Sequence, residues 1–574
     1  MKPGLKTWMV ALAAMAVSGC AVMAPQSSEL GAVDVEAVSV APVLPDVELT
    51  PLLLNKYLLA EIAIQRAQYG VAVDLYREVS LATKDPRLLE RATRVALFAR
   101  NRLAALETGR LWVELVPGSV EARQIMTALL VKEGDYDAAL GLLESLLQEA
   151  GNDEQKRYVL ILRLLGREQD KDGARALLEQ YLAKYPEDVA ALYALAQLAL
   201  RDGKTEMSES AIDRLLLLKK DWTLAVIVKT RLMQVRNKDD EALAYLAAAV
   251  KRNAKDGELR TAYARMLVDV ARPKEALEQF QKVLKRDAEN PDILFAAALV
   301  ALRIENIDVA QTYLQKLWDL GKRRDEVSYY LGRIEESRKN DVEAMRWYER
   351  VGLSGNYVDA QIRYAMLMAR TGELDGARAH LGAIAAKSPN QRLKLYIAEG
   401  EMLREQKMYV EAKALYDHAL GEIPNRIELL YSRAMVADKL GDLVLLERDL
   451  MAILENEPDH VDALNSLGYT LADRTQRYDE AYAFIKRALD LRPDAAHIMD
   501  SYGWVNFRLG RLDEALIYLR KASDAMYDPE IAAHLAEVLW VQGEYEAAQK
   551  VWDEALGKSP DSEVLLNSIK RLDP

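Results

Sequence analysis

The sequence predicts an all-α solenoid of about fifteen helix-turn-helix units, coiled into a right-handed superhelix. Two observations lead to this prediction. A small residue recurs about every 34 residues between positions 72 and 548, and prolines recur twelve residues after it. The composition agrees: of 574 residues, 51% are hydrophobic and 29% are charged, which is too apolar for disorder and too charged for a multi-span membrane protein.

The recurring small residue, nearly always alanine, sets the phase of the repeat, and successive copies are 33 to 35 residues apart. Its positions are Ala72, Ala105, Ala139, Ala174, Ser208, Ala242, Ala276, Ala310, Ala344, Ala377, Ala412, Leu446, Ala481, Ala515 and Ala548. Seven prolines share one phase: Pro117, Pro186, Pro389, Pro424, Pro458, Pro493 and Pro560. Because the alanine and proline positions are independent of each other, their common period indicates a true structural repeat.

The two-helix unit is clearest in the last full repeat. Gly543 provides backbone freedom at the turn between the helices. Ala548, Trp552 and Ala555 are spaced four and three residues apart, so they lie on one face of the second helix. Pro560 then ends that helix. A single hairpin of this kind cannot bury its own apolar face, so each unit is expected to be stabilised by stacking on its neighbours.

Several classes of chemistry are excluded by the composition. The formal net charge is −13 with no basic block, so no nucleic-acid partner is expected. A single cysteine excludes an internal disulfide and a cysteine-based metal site. The string Gly203-Lys204-Thr205 resembles the end of a phosphate-binding loop, but Leu198 stands where that loop needs glycine. The sequence therefore predicts no catalytic residue, no metal site and no cofactor, and the chain is not expected to be an enzyme.

Residues 1–19 have the layout of a cleaved export signal. Lys2 and Lys6 precede a short apolar run that ends in Val-Ser-Gly before Cys20. This ending resembles the bacterial lipobox, which implies lipidation of Cys20; the alternative is an ordinary secretory signal with an incidental cysteine. The residue after the cysteine is Ala21, whereas an aspartate at this position would resemble the signal that retains a lipoprotein in the inner membrane. We therefore expect a lipid anchor in the outer membrane, such as palmitate and diacylglycerol, with the body facing the periplasm.

The rest of the chain divides into a tether and a repeat body. Residues 20–50 are predicted to be the acylated cysteine and a flexible tether, because prolines and small residues interrupt any helical pattern. A flexible coil of about 30 residues reaches roughly 30 Å. Residues 51–574 are predicted to form the solenoid, with the strongest repeats at 390–560 and a capping helix at about 561–572.

The repeat units resemble the tetratricopeptide repeat (TPR). The family positions are occupied in one unit by Leu467, Gly468, Ala481, Ile485, Ala488 and Pro493, and in the next by Tyr502, Gly503, Ala515 and Ala522. The match weakens where Ser208 and Leu446 replace the alanine. The resemblance covers about 520 residues. It implies a protein-binding superhelix whose concave surface is lined by the first helix of each unit.

Six residues of the C-terminal units are predicted to form a partner-binding groove on their first helices: Asn465, Tyr469, Asp500, Trp504, Glu537 and Trp540. Asparagine can pair with both the donors and the acceptors of an extended peptide, and tyrosine and tryptophan provide anchors. The alternative is that the aromatic residues pack against the adjoining repeat, which the position of Trp540 near the turn favours. For His497 and His534, packing or solvent exposure is favoured over a groove contact.

Three stretches, residues 85–92, 463–473 and 500–504, resemble a group of proteobacterial outer-membrane TPR lipoproteins. One member of that group is the lipoprotein partner of a periplasmic carboxyl-terminal processing protease. The resemblance implies a non-enzymatic adaptor that binds and activates this protease and presents cell-wall hydrolases to it for degradation. The alternative is a TPR scaffold for envelope assembly or exopolysaccharide export, without a proteolytic role.

The expected mechanism of the adaptor is effective concentration, because an anchored scaffold converts a bimolecular encounter into a nearly intramolecular one. One hypothesis assigns residues 52–102 to the protease and the C-terminal groove to the substrates. It depends on the apolar run Leu52-Leu53-Leu54 and Tyr57-Leu58-Leu59. This run contains more apolar side chains than the inward-facing side of one helix needs for packing. The rival explanation is that this run caps the terminal repeat.

Overall fold

The computed structural model describes residues 45–166 and 170–572. Within these residues there are 31 α-helices and no β-strand. The predicted signal segment 1–19, Cys20 and the tether up to residue 44 lie outside the described residues, so these assignments remain predictions. In the described part of the chain, none of the helices is long and apolar enough to cross a lipid bilayer.

The chain divides into two compact units at Lys322 and Arg323. The described residues of unit one form eight helical hairpins. Its first helices are α1 (Pro51–Gln65), α3 (Pro86–Phe98), α5 (Val120–Glu133), α7 (Glu154–Leu165), α9 (Val189–Arg201), α11 (Thr223–Val235), α13 (Gly257–Asp269) and α15 (Pro291–Arg303). Its second helices are α2 (Tyr69–Thr83), α4 (Arg102–Leu115), α6 (Tyr136–Glu149), α8 (Lys171–Lys184), α10 (Thr205–Leu218), α12 (Asp239–Arg252), α14 (Pro273–Leu284) and α16 (Ile307–Asp319).

Unit two, described up to residue 572, contains seven hairpins and one further helix. Its first helices are α17 (Arg324–Ser337), α19 (Tyr357–Arg370), α21 (Pro389–Glu405), α23 (Ile427–Leu440), α25 (Val461–Arg474), α27 (Ala496–Arg508) and α29 (Pro529–Gln542). Its second helices are α18 (Asp341–Glu349), α20 (Leu374–Gly382), α22 (Tyr409–Glu422), α24 (Leu443–Asn456), α26 (Tyr478–Leu491), α28 (Leu512–Ala525) and α30 (Tyr545–Lys558), and α31 (Glu563–Leu572) follows them. The prediction of an all-α array of repeating helix-turn-helix units is confirmed, whereas the hand of the superhelix stays a prediction.

Local sequence explains where many of these helices begin. The carboxylate of Asp188 accepts hydrogen bonds from the backbone N–H groups of Ala190 and Ala191 at the start of α9, and Asp85 and Ser119 cap α3 and α5 in the same way. Six of the described helices also have proline at the first helical positions, where the missing N–H costs no hydrogen bond. These helix starts are therefore specified by the local sequence.

The recurring small residue occupies one structural position throughout. In all fifteen hairpins it is the fourth residue of the second helix, and none of these residues is more than 1% exposed. A small side chain there lets the two helices of a hairpin approach closely. Where serine replaces alanine, the Ser208 hydroxyl donates a hydrogen bond to the carbonyl of Ala196 at 2.8 Å, so the buried polar group is satisfied.

A second close approach occurs where glycine on a first helix faces a large residue on the second. A Cβ atom added to Gly503 would lie 2.6 Å from Leu519 Cγ, and one added to Gly468 would lie 2.5 Å from Ile485 Cγ1. These distances are shorter than any van der Waals contact, so only glycine fits without a shift of the neighbouring helix. The glycines thereby hold α25 and α27 close to their second helices, and these two first helices carry the candidate site.

The two ends of the described array differ in how they cover apolar surface. The last helix, α31, buries Leu565 completely, and Ser568 accepts a hydrogen bond from Trp552 Nε1 at 3.2 Å. At the other end, α1 leaves Leu52, Leu58 and Leu59 63%, 49% and 47% exposed. The first helix therefore presents a run of apolar side chains to solvent, whereas α31 covers part of the last hairpin and still leaves Val541 and Tyr545 exposed.

Candidate partner-binding groove

The six predicted groove residues lie on three successive first helices of unit two: Asn465 and Tyr469 on α25, Asp500 and Trp504 on α27, and Glu537 and Trp540 on α29. Two residues four apart on a helix share one face, so each of the first two helices presents its polar residue beside its aromatic residue. Three of the six form a central cluster, two pack in the last hairpin, and Asn465 contributes a buried acceptor.

A buried ion pair joins α27 to α29. The Nδ1–H of His534 donates to both carboxylate oxygens of Asp500, at 3.0 and 3.1 Å, and each residue is only 6% exposed. Burial on its own lowers the pKa of His534, but the charge of Asp500, the hydrogen bond that His534 donates to it, and the charges of Glu530 and Glu537 outweigh burial, and the net effect raises this pKa. The pair therefore favours the imidazolium form and connects two repeats electrostatically.

Trp504 covers one face of this ion pair. Its ring stacks on the His534 imidazole with centroids 4.1 Å apart and an angle of 19° between the planes. Trp504 is 5% exposed, and its Nε1–H is buried without a hydrogen-bond partner in the described residues. The stack places an aromatic face against a ring whose imidazolium form the ion pair favours, and an aromatic face attracts such a cation. It also leaves one strong donor unsatisfied, at a cost of the order of 1–3 kcal/mol.

Tyr469 closes the cluster from the preceding repeat. Its hydroxyl donates to Glu530 Oε1 at 2.6 Å, and the two residues are 61 positions apart in the sequence. Its ring lies 6.0 Å from the His534 ring. Burial and the nearby Glu530 carboxylate raise the pKa of Tyr469 above its ordinary value, so the hydroxyl remains a donor. This contact connects α25 directly to α29 and spans the repeat between them.

Asn465 contributes a second unsatisfied polar atom. Its Oδ1 is buried and accepts no hydrogen bond from the described residues. In the same row of first helices, the hydroxyls of Tyr431 and Ser466 lie 3.1 Å apart and satisfy each other. The predicted groove thus holds one buried acceptor, on Asn465, and one buried donor, on Trp504, that the described part of the protein does not use. These are the two kinds of group that an extended peptide backbone offers in return.

The other two predicted residues are in contact with the end of the chain. Glu537 is 5% exposed and forms an ion pair with Arg571 of α31. Trp540 packs against Tyr545 and Trp552, with ring centroids 4.8 and 5.5 Å apart. Both partners lie on α30, the second helix of the same hairpin, so Trp540 packs within its own unit. Trp504, which stacks on His534, is the aromatic residue that packs against the adjoining repeat. The cluster around His534 therefore contains Tyr469, Asp500 and Trp504, whereas Glu537 and Trp540 belong to the last hairpin and its covering helix.

Two members of the cluster were not predicted as groove residues. His534 is its centre: the sequence favoured packing or exposure for it, and in the structure it packs against Trp504 and also pairs with Asp500. A usable signal existed: Asp500 and His534 are 34 residues apart, one repeat length, so a carboxylate and an imidazole come to adjacent first helices. Glu530 carried no such signal, because an acidic residue in the first turn of a helix is usually explained by the helix dipole.

Comparison with known proteins gives the family. A profile described as tetratricopeptide repeat matches residues 159–223, 264–317, 295–357, 447–496 and 473–529. A TPR repeat-containing protein of Pseudomonas aeruginosa is 34% identical over 484 residues, which are 84% of this chain and 82% of that relative. The chain belongs to the tetratricopeptide-repeat family. A shorter match, 39% identical over 95 residues, is to the protein O-mannosyl-transferase Tmtc2 of Drosophila melanogaster, covering 16% of this chain and 10% of that protein.

The solved structures to which this chain is similar are more distant. The APC/C hetero-tetramer Cut9-Hcn1 is 17% identical, with 91% of this chain and 96% of that chain covered and a TM-score of 0.34. A thermophilic TPR protein from Thermus thermophilus is 24% identical, with 32% and 99% covered and a TM-score of 0.28. Scores this low carry no argument about this chain. TPR proteins are typically non-catalytic and mediate protein–protein interactions, and no catalytic family is indicated for this chain.

Proposed function

We propose that this TPR protein is a non-enzymatic adaptor, anchored in the outer membrane through a lipid on Cys20, with its body in the periplasm. It would bind and activate a carboxyl-terminal processing protease and present cell-wall hydrolases to it for degradation. The family supports the coarser part of this statement, a scaffold for protein–protein interaction. The protease, its substrates and the anchor follow from the sequence resemblance and remain proposals.

The observation that carries the substrate-binding part is the cluster around His534. Three successive first helices contribute to it, which gives a surface long enough for several residues of an extended peptide. The unused acceptor of Asn465 and the unused donor of Trp504 are buried in the present arrangement. A peptide that displaced Tyr469 from Glu530 would exchange one hydrogen bond for contacts to both unused groups. Recognition through backbone atoms would suit an adaptor that serves several hydrolases.

The protease-binding part is supported by the exposed face of α1. Leu52, Leu58, Leu59 and Ile62 are each between 42% and 63% exposed. Within the described residues, no packing covers these side chains. An apolar surface of this kind is typical of a protein interface. Placed at the opposite end of the chain from the groove residues, it would let protease and substrate bind at the same time and so raise their effective concentration.

The decisive experiment is affinity purification of the tagged full-length protein from gently solubilised membranes, in a host whose processing protease is catalytically inactive. The co-purifying proteins are identified by mass spectrometry. We expect the protease and cell-wall hydrolases with the unaltered chain. Trp504→Phe, which removes the unused donor and keeps the aromatic stack, should reduce recovery of the hydrolases and not of the protease. The double variant L52S and L59S should have the opposite effect.

The matched control is Val444→Ala on α24, a second helix, because Val444 is 82% exposed and distant in sequence from both surfaces. It should recover both classes of partner at the level of the unaltered chain. Recovery of an outer-membrane barrel or a polysaccharide synthase instead of the protease would contradict the adaptor and favour the envelope-assembly alternative. Equal hydrolase recovery by Trp504→Phe and by the control would contradict the assignment of the groove.

A further inference from the structure

The first two hairpins expose apolar side chains at the edge where their helices turn. Phe98, the last residue of α3, is 69% exposed, and Leu103, the second residue of α4, is 80% exposed. Val71, near the start of α2, is 53% exposed. The rings of Tyr69 and Phe98 meet edge to face with centroids 4.8 Å apart, which joins the two turns. Together with the turns that they flank, these four residues form what we call the N-terminal turn edge.

Each of these two turns contains an arginine, Arg66 after α1 and Arg100 after α3. The turns have the same backbone form, since their middle residues, Ala67 and Arg100, have φ values of 56° and 57°. Both arginine side chains are exposed. Within the described residues, neither of them forms an ion pair with a carboxylate. Their positive charges are therefore available to a ligand at this edge.

Most other second helices of the described array carry negative charge at the corresponding place. Twelve of the fifteen have an aspartate or glutamate in their first turn. An acidic side chain there is favourable because it interacts with the positive end of the helix dipole. The exceptions are α2, α4 and α24, and α24 is capped by the carboxylate of Asp442 instead. Only the N-terminal turn edge lacks both the first-turn acid and a carboxylate cap.

The charge at the turns changes at the third hairpin. The residues around its turn include Glu133, Asp135 and Asp137. Two of these carboxylates form ion pairs with arginines of the second hairpin, Glu133 with Arg102 and Asp135 with Arg110. The N-terminal turn edge therefore ends after the two hairpins that directly follow the predicted tether.

This place in the chain indicates what the edge faces. Helix α1 is 15 residues long, so Arg66, at its far end, lies about 22 Å from its first residue. A flexible tether of residues 20–50 reaches roughly 30 Å. With a lipid on Cys20, both ends of the first hairpin are therefore within reach of the bilayer surface. This step rests on the anchor of the proposed function.

We propose that the N-terminal turn edge docks on an anionic phospholipid surface. Arg66 and Arg100 pair with lipid phosphates, and Phe98 and Leu103 enter the boundary between the headgroups and the acyl chains. Aromatic and cationic side chains are the types that favour this boundary. A purely acidic partner would leave Phe98 and Leu103 unused, and a purely apolar one would leave two arginines unpaired. Docking sets the orientation in which the first two hairpins meet the membrane.

Docking can be measured on vesicles independently of acylation. The predicted mature chain, residues 20–574, carries Cys20→Ser and an N-terminal histidine tag, which holds it on vesicles that contain a nickel-chelating lipid. Because Cys20 is the single cysteine of the chain, Gln68→Cys provides one site for an environment-sensitive fluorophore in the first turn. We expect its emission to rise about twofold or more on vesicles that contain phosphatidylglycerol, and less on phosphatidylcholine alone, in low salt.

The matched control label is placed at Lys204→Cys. Lys204 is exposed and, like Gln68, directly precedes a second helix without forming a side-chain cap. Its turn is flanked by Asp202 and Glu206, so an anionic surface should not attract it. The emission of this label should therefore stay unchanged on both kinds of vesicle.

Charge reversal tests the arginines. Arg66→Glu combined with Arg100→Glu should abolish the response of the label at position 68. The same reversal at two exposed positions away from the edge, Arg265→Glu combined with Lys282→Glu, should retain it. Thermal unfolding of both double variants verifies that they are folded.

The proposal is overturned if the label at position 68 responds no more than the one at 204, if phosphatidylglycerol makes no difference, or if the variant with both turn arginines reversed retains the response. A response to the processing protease and not to vesicles would assign the edge to a protein and would also overturn it. Acylation of Cys20 is measured separately, from the mass of the N-terminal peptide of the chain purified from membranes. Failure of the anchor and failure of docking are therefore distinguishable.

Discussion

Both units of this protein bring aromatic residues of successive repeats together and carry an acidic residue on a first helix, but they differ in whether that acidic residue has a partner. In unit two, Asp500 is buried and paired with His534, and Tyr469 closes over the cluster through Glu530. In unit one, the rings of Tyr158, Tyr193 and Trp222 meet as well, and no hydrogen bond or ion pair within the described residues holds the exposed carboxylate of Glu258 at the start of α13. One surface satisfies its charge internally, and the other leaves its charge available. The difference shows that a repeat array can hold closed and open surfaces without any change of fold.

This contrast has an energetic consequence. A buried charge that loses its partner is destabilised by roughly 3–5 kcal/mol, because the desolvation cost is no longer offset. An accessible carboxylate without a partner contributes almost nothing to folding, so its removal costs little. Equivalent isosteric substitutions in the two units should therefore have very different effects on stability.

The largest effect is expected from Asp500→Asn. The substitution keeps the shape of the side chain but removes the charge opposite His534, so unit two should lose about 3 kcal/mol of stability. Hydrogen–deuterium exchange of the peptides covering residues 496–542 measures the opening of this region directly. Peptides from unit one serve as the internal control, because their exchange should not change. A loss below about 0.5 kcal/mol would mean that the pair does not hold the repeats together.

The Asp500–His534 pair should also make the stability of this region depend on pH, which is a smaller effect. The pKa of His534 is raised in the folded protein, so its contribution to stability is fully present below the unfolded value of 6.5 and is lost as the pH rises through the folded value. Exchange in residues 496–542 should accordingly accelerate as the pH rises from about 6.5, beyond the intrinsic pH dependence of amide exchange. Asp500→Asn should abolish this additional dependence, and its persistence in that variant would assign it to another group.

Tyr469→Phe should have an intermediate effect, of about 1 kcal/mol, because it removes one hydrogen bond to a partly solvated carboxylate and leaves no buried group unpaired. Its second consequence should be better access to Trp504. Acrylamide quenching of tryptophan fluorescence measures this, with Trp504→Phe used to identify the residue. Tyr545→Phe is the matched control, since Tyr545 is 56% exposed and lies outside the cluster. Equal quenching in the two tyrosine variants would show that Tyr469 does not cover the cluster.

The smallest effect is expected from Glu258→Gln, the counterpart in unit one of Asp500→Asn. With no partner to lose, its stability should change by less than about 0.5 kcal/mol, and removal of an unpaired carboxylate can even stabilise. Thermal unfolding followed by circular dichroism is sufficient to test this. A destabilisation as large as that of Asp500→Asn would reveal an internal partner for Glu258 and would remove the contrast between the two units.

Much of the architecture could be predicted because a regular spacing of residues is visible in the sequence itself. A recurrence of about 34 residues with a small residue at one phase predicts paired helices, and each marked residue from Ala72 to Ala548 occupies the same buried place in its hairpin. A spacing of four residues predicts that Asn465 and Tyr469 lie on one face of a first helix, and it predicts the same for Asp500 and Trp504 on the next. Helix periodicity alone is sufficient for such statements, since residues four apart must be neighbours.

By itself, then, the sequence determined the repeat, the helices and the face on which each residue lies. The tertiary structure decided which of those residues meet. Tyr469 reaches Glu530 across 61 positions only because three repeats stack, and His534 became the centre of the cluster because Asp500 of the preceding repeat is beside it. Trp540 lies on a first helix as expected but packs on Tyr545 and Trp552. Contacts between repeats depend on side-chain conformation and on the offset between neighbouring helices, and neither is encoded in a period.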